Sequence, residues 1–124
     1  MLNLSLLICT KNSAKSIISC LNSALPTLNA GAELILVDGR SSDNTIKLVL
    51  EFLEINNINN YKVITQLNYG LYEAFNLAIE NSNKKKILFL HSDDVMKNSH
   101  TLITDVRNST ADVIFYGIEI QGAF

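Results

Sequence analysis

Ile87-Leu88-Phe89-Leu90-His91-Ser92-Asp93-Asp94-Val95 runs from an apolar segment straight into two adjacent carboxylates. A short apolar run bounded by polar residues reads as a strand buried on both faces, which predicts a strand over 86–90. Acids at its end put negative charge on the rim of a sheet, where it must be hydrated or neutralised. A divalent cation carrying a phosphate-bearing ligand meets that need, because hard cations take carboxylate and phosphate oxygens.

The rest of the chain repeats the pattern. Apolar runs predict strands over 4–9, 33–37 and 61–65, and a final β-branched and aromatic stretch predicts another over 112–120. Between them lie helical stripes at three- and four-residue spacing. The first is Ala14, Ile17, Ile18, Leu21, Ala24, Leu25 and Leu28, with an N-cap at Asn12 or Ser13 and Pro26 disturbing the last turn. The second is Ile46, Val49, Leu50 and Leu53, the third Leu71, Ala74, Phe75, Ala78 and Ile79, and a short one carries Leu102, Ile103 and Val106. Short apolar strands alternating with amphipathic helices specify an α/β fold with a mostly parallel sheet. The 124 residues suit one domain rather than two.

Composition narrows the function. Hydrophobic residues make up 48% and charged residues 18%, so a core is expected and disorder is not. A formal charge of -2 argues against nucleic acid as a partner. Lys84-Lys85-Lys86, the one basic run, reads as a solvated loop before a strand. Cys9 and Cys20 read as free thiols of a reducing compartment, and two cysteines with two distant histidines are too few for a zinc site. Met1-Leu2-Asn3 lacks a basic leader and no stretch is long enough to span a bilayer, so a soluble cytoplasmic protein is expected.

Ligands of parallel sheets bind beyond the carboxyl ends of the strands. Three predicted strand ends are chemically distinctive: Thr10-Lys11-Asn12, Asp38-Gly39-Arg40-Ser41 and His91-Ser92-Asp93-Asp94. Each residue also has an ordinary reading. Asp38-Gly39 is a common turn pair, Asp93 or Asp94 can cap a helical turn, Thr10 and Asn12 are capping types, and Tyr69 and Tyr72 fit half-buried aromatics. The case for a site rests on the acids gathering at one crevice. The glycine motifs of dinucleotide-binding and P-loop proteins are missing, as is a nucleophile elbow, so phosphate binding through a metal is the better expectation.

Four segments together resemble family 2 glycosyltransferases of the GT-A fold. They are Leu4-Ser5-Leu6-Leu7-Ile8-Cys9-Thr10-Lys11-Asn12; Glu33-Leu34-Ile35-Leu36-Val37-Asp38-Gly39-Arg40-Ser41-Ser42-Asp43-Asn44-Thr45; Asn68-Tyr69-Gly70-Leu71-Tyr72-Glu73-Ala74-Phe75-Asn76-Leu77-Ala78-Ile79; and Phe89-Leu90-His91-Ser92-Asp93-Asp94. The resemblance implies a three-layer α/β/α nucleotide-diphospho-sugar-binding domain over 1–124, cut before the acceptor-binding half. It implies transfer of a sugar with inversion from a UDP-type donor to a glycan or lipid-linked acceptor, in bacterial surface polysaccharide synthesis. It also implies Mn²⁺ or Mg²⁺ as cofactor.

The nucleotide-binding residues implied are Thr10, Asn12, Asp38, Gly39, Arg40, Gly70 and Asp93, with Asp94 as the metal ligand. Thr10 would line the base pocket, Asp38 would accept the imide N–H of a uracil-type ring, Gly70 would lie near the diphosphate or the sugar, and Asp93 would hold the ribose hydroxyls. Lys11 and Arg40 would be either phosphate or ring contacts, or solvated rim cations. His91 stands where many relatives carry the first acid of an Asp-x-Asp signature, which weakens the expected metal affinity. The catalytic base is expected outside this chain, Glu119 being a weak candidate. Segments beyond the chain can seat it peripherally on the inner face of the membrane, and an open sheet edge can pair it into a homo-oligomer.

Two rivals stand beside this reading. One is a nucleotide-sugar-binding module without turnover. The other is a receiver-like regulatory domain, which would place its acid pair after the first strand, where this chain has Thr10-Lys11.

Overall fold

The computed structural model describes residues 2–67 and 70–108. Strands β1 (Leu4–Thr10), β2 (Glu33–Asp38), β3 (Tyr61–Thr65) and β4 (Lys86–His91) alternate with helices α1 (Ile17–Asn29), α2 (Thr45–Ile55), α3 (Leu71–Asn81) and α4 (Ser99–Asn108). The strands pair in the order β3-β2-β1-β4, all parallel. The strand expected over 112–120 lies outside the described residues. Among the described residues no helix is long and apolar enough to cross a membrane.

Connection order explains the layers. The chain steps from β1 to β2 to β3 in one direction, then crosses back past β1 to β4. Right-handed crossovers therefore send α3 to the opposite face from α1 and α2. In agreement, α1 packs on α2 and α4, whereas α3 packs on β1 and β2. Alternate residues of each strand serve the two faces. Leu4, Leu6, Ile8, Leu34 and Leu36 join Ile17, Leu21, Ala24, Val49, Leu53, Leu102 and Val106 in the larger core. Leu7, Ile35 and Val37 meet Ala74 and Ala78 of α3 in the smaller one. The expected three-layer α/β/α sandwich is the fold observed.

Some local details differ from expectation. Asn12 and Ser13 do not cap α1. The Ser13 carbonyl accepts from the N–H groups of Ser16 and Ile17, and the helix starts at Ile17. Pro26 does not break α1, which continues to Asn29. It sits in the last turn, so only its own backbone bond is forfeited, and its carbonyl still accepts from Ala30 N at 3.0 Å. On α3 the apolar stripe is wider than the buried face. The small residues Ala74 and Ala78 make the close approach, leaving Leu71, Tyr72 and Ile79 exposed. Tyr72 is thus a surface residue rather than half-buried.

At the amino-terminal edge of the sheet, Glu33 is buried and takes the Ser5 hydroxyl (3.0 Å), the Asn83 N–H (2.8 Å) and the Asn83 amide (3.2 Å). Desolvation pushes its pKa up, but these donors and the charge of Lys62 outweigh it, leaving the carboxyl below its ordinary value. The unfolded chain therefore takes up this proton first as the pH falls. The stabilisation is complete above the ordinary glutamate pKa, near about 4.3, and is lost as pH falls through the lower folded value. Glu33→Gln is expected to shallow the loss of thermal stability between about pH 5 and pH 3. Parallel melts of variant and parent check this, and parallel curves would contradict it.

Candidate functional site

β1 is central, so its carboxyl end sits between two others. Thr10 pairs across from Asp38 of β2, and Cys9 pairs across from His91 of β4. The chain reverses its direction of travel at β1, and loops leaving such a point diverge and open a crevice. A crevice of about 360 Å³ lies there, a size suited to a small-molecule ligand. It is lined by Cys9, Thr10, Lys11 and Ser13 from β1 and its loop, and by Gly39, Arg40 and Gln66 beyond β2 and β3. Gly70, Leu71 and Ala74 from the start of α3 close one side, and His91, Ser92 and Asp93 from the end of β4 close another.

Hydrogen bonds fasten the β1 and β2 loops together. Asp38 is buried, and its carboxylate takes the Thr10 hydroxyl at 2.7 Å, the Ser41 hydroxyl at 2.6 Å and the Ser41 N–H at 2.8 Å. Asn12, at φ 50°, accepts through Oδ1 from Ser42 N at 2.8 Å and Asp43 N at 3.3 Å. Lys11 Nζ donates to the carbonyls of Gly39 (2.7 Å) and Arg40 (3.2 Å). The Thr45 hydroxyl holds the Asp43 carboxyl below the usual carboxylate range, with the Ala14 and Thr45 N–H groups adding to it. Ser13 ties both loops to β4, since its hydroxyl lies 3.0 Å from that of Ser92.

The β4 turn separates the paired acids. Asp94 N donates to His91 O at 3.0 Å, and Asp94 Oδ2 accepts from His91 N at 3.3 Å. That turn folds Asp94 inward to 1% exposure while Asp93 stays exposed on the crevice. Asp94 is thus not the rim carboxylate its sequence context suggests. Its Oδ1 is buried without a hydrogen-bond partner. Beneath the turn, Cys20 Sγ contacts His91 O at 3.4 Å. Burial, then the charges of Asp94 and Asp93, push the Cys20 thiol up to about 12, and burial pushes Cys9 up to about 11. Both shifts favour the protonated thiol over the nucleophilic thiolate.

On the α3 side, Gly70 precedes the helix at φ 118°, a conformation that only glycine adopts without strain. Gln66 is buried at the end of β3 and donates through Nε2 to Gly70 O at 2.7 Å. The Phe75 ring meets Phe89 edge-on at 5.0 Å and His91 at 6.4 Å, setting an apolar wall beside the histidine.

Of the residues singled out from the sequence, Thr10, Gly39, Arg40, Gly70 and Asp93 line the crevice, as do Lys11 and His91. Asn12 and Asp38 stand behind it as loop fasteners, and Asp94 lies beneath. Ser92, part of the distinctive β4 end, lines it too, as do Ser13, expected only as a cap, and Gln66, which was not anticipated. For Gln66 the signal was present, a polar side chain directly after a predicted strand on the ligand-binding end of the sheet.

Among the described residues no three His, Cys, Asp or Glu side chains group closely enough to enclose a metal. The crevice instead offers His91 and Asp93 on one turn, backed by the buried carboxylate of Asp94. Asp93 is an oxygen donor of the kind Mg²⁺ and Mn²⁺ take and His91 a nitrogen donor poorly suited to Mg²⁺, so an ion here would have to be held jointly with ligand phosphates and water, not in an all-protein cage.

Residues 5–120 match the family described as glycosyl transferase family 2. The chain belongs to that family. The glycosyltransferase GlyG of Streptococcus pneumoniae serotype 4 is 30% identical over 106 residues, covering 83% of this chain and 35% of that protein. A PGL/p-HBAD biosynthesis glycosyltransferase of Mycobacterium bovis is 31% identical over 99 residues, covering 79% and 38%. This family 2 chain therefore spans about a third of the length of these curated relatives. Among solved structures, S. aureus TarS 1-349 in complex with UDP superposes with a TM-score of 0.68 at 26% identity, covering 82% of this chain and 32% of that one. The mannosyltransferase PcManGT from Pyrobaculum calidifontis, in complex with GDP-Man and Mn²⁺, reaches 0.74 at 19% identity over 85% of this chain and 31% of its own, and shares the fold.

Proposed function

We propose that this family 2 chain is the donor-binding part of a glycosyltransferase that takes a UDP-type nucleotide sugar with a divalent cation. The observation that carries the reading is the crevice itself. It joins a polar slot at the β1, β2 and β3 ends to an acid and an imidazole at the β4 end. The UDP bound by the TarS relative supports the donor class. In this reading the nucleoside lies along Thr10 and Gly39, and the diphosphate lies between the start of α3 and the β4 turn. Asp93, with His91, meets the ribose hydroxyls and the cation. Asp94 holds the turn and adds its charge behind the site, so the cation-binding role passes from Asp94 to its neighbour. The cation, Mn²⁺ or Mg²⁺, when bound screens negative charge on the leaving diphosphate.

Transfer with inversion to a glycan or lipid-linked hydroxyl, in surface polysaccharide synthesis at the inner face of the membrane, belongs to the same reading. It needs a base beyond Asp93, the one carboxylate among the described residues that line the crevice. That observation favours binding without turnover for these residues taken alone. Titration of the 124-residue chain with UDP and Mn²⁺, followed by an assay for UDP-glucose hydrolysis, separates the cases. Cation-dependent UDP binding is expected, with hydrolysis absent or very slow. Absence of any UDP binding would contradict the proposal.

A further inference from the structure

We propose that Ser23 of α1 is a positioning residue: its hydroxyl fixes the segment that carries Asp93, and so sets how far a divalent cation strengthens nucleotide binding. This rests on the donor-site reading above. Residues 92–98 belong to neither β4 nor α4, so neither element sets their course. Ser92 and Asp93 of this segment line the crevice. Helix α1 is tied to the segment along its length. At its start, Cys20 Sγ donates to His91 O at 3.4 Å, the carbonyl that also takes Asp94 N. Further along, Met96 N donates to Ser23 Oγ at 2.8 Å. At its end, Ser99 Oγ donates to Ser23 O at 3.4 Å.

The Met96 bond is the shortest of these ties, and its direction is preset. A hydroxyl has one proton and two lone pairs. Ser23 spends its proton on Cys20 O, one turn back along α1, at 2.6 Å, which leaves its lone pairs for the Met96 N–H. The Met96 side chain packs against the larger core, so packing and hydrogen bond hold the same point of the segment. The helix itself gains nothing from this serine. Bonding back to the same helix is slightly unfavourable, and alanine is the better helix former. Ser23 is also only half-buried, so core packing does not demand it.

Cation binding magnifies small displacements. Mg²⁺ takes its oxygens at about 2.0–2.1 Å, so a carboxylate that drifts by about 1 Å falls out of reach. The nucleoside, in the donor-site reading, lies along Thr10 and Gly39, on loops that this segment does not carry. Loosening Ser23 from Met96 therefore acts on the cation-dependent part of donor affinity and spares the rest.

The test measures calorimetric affinities for UDP, with Mn²⁺ and without it, on the 124-residue chain and on its variants. The ratio of the two affinities is the cation enhancement. Ser23→Ala is expected to cut the enhancement by about threefold to tenfold, the scale of one hydrogen bond, with metal-free UDP affinity within about twofold of the parent. Ser23→Thr keeps the hydroxyl and is expected to keep the enhancement. Hydrogen exchange on the ligand-free chain reads the tie itself: the Met96 N–H is expected to exchange about tenfold faster in Ser23→Ala. A merely structural role would weaken UDP binding with and without Mn²⁺ alike, so an unchanged enhancement in Ser23→Ala overturns the inference. So does unchanged exchange at Met96, or a Ser23→Thr that loses as much as Ser23→Ala. If Ser23→Ala does not fold, Ser23→Cys takes its place. It is nearly isosteric, its sulfur accepts weakly, and an enhancement equal to the parent's overturns the inference. A parent whose UDP affinity does not respond to Mn²⁺ overturns the donor-site reading, and this inference with it.

Discussion

Asp93→Ala is expected to weaken UDP binding in the presence of Mn²⁺ by about tenfold to a hundredfold, roughly 1.4 to 2.7 kcal/mol, while leaving the melting temperature within about 1 °C of the parent. Asp93 is exposed on the crevice, so it contributes charge to a ligand and little to the core. Its neighbour should behave in the opposite way. Asp94 is 1% exposed and bonded to the His91 backbone, so Asp94→Ala opens a buried turn and lowers stability by about 1–3 kcal/mol. Calorimetry with UDP and thermal melts on both variants check the pair. Equal loss of affinity in both, with neither destabilised, would restore Asp94 to the cation and contradict the division of roles.

Asp38→Ala is the substitution with the largest expected effect on the fold. It strands the hydroxyls of Thr10 and Ser41 and the Ser41 N–H, all now satisfied by one buried carboxylate. At about 1 kcal/mol per stranded donor the loss is about 2–4 kcal/mol. For a chain of this size that lowers the melting temperature by about 10 °C. Nucleotide binding should fall with it, because the same bonds hold Gly39 and Arg40 at the crevice. Asp38→Asn keeps one accepting oxygen and should lose less. A melting temperature unchanged in Asp38→Ala would mean that the loop is fastened by other contacts, Lys11 and Asn12 foremost.

The contrast between these acids marks what a linear sequence reveals. The strands were legible because parallel strands covered on both faces must be apolar throughout, as Leu6-Leu7-Ile8 and Leu34-Ile35-Leu36 are. The helices were legible from their stripes. The loops that meet were legible because ligands gather at the carboxyl ends of parallel strands. Which of two adjacent acids faces the ligand was not legible. It depends on the sense of the β4 turn, which is set by backbone bonds between His91 and Asp94. Nor could spacing show that Asp38 fastens two loops, since its donors Thr10 and Ser41 come from separate ones. Resemblance supplied the expected ligand class, and the folded chain shows which of the expected residues line the crevice.

The central claim is that a cation-carrying uridine nucleotide occupies the carboxyl-end crevice of the sheet. Amide chemical-shift mapping of the ¹⁵N-labelled chain, titrated with UDP and diamagnetic Mg²⁺, tests it most directly. The largest shifts are expected on Thr10, Lys11, Gly39, Gln66, Gly70, Ser92 and Asp93, which line the crevice, with Glu33 and Asn83 at the far edge of the sheet unmoved. Shifts centred on that far edge, or none at all with UDP and Mg²⁺ in excess, would contradict it.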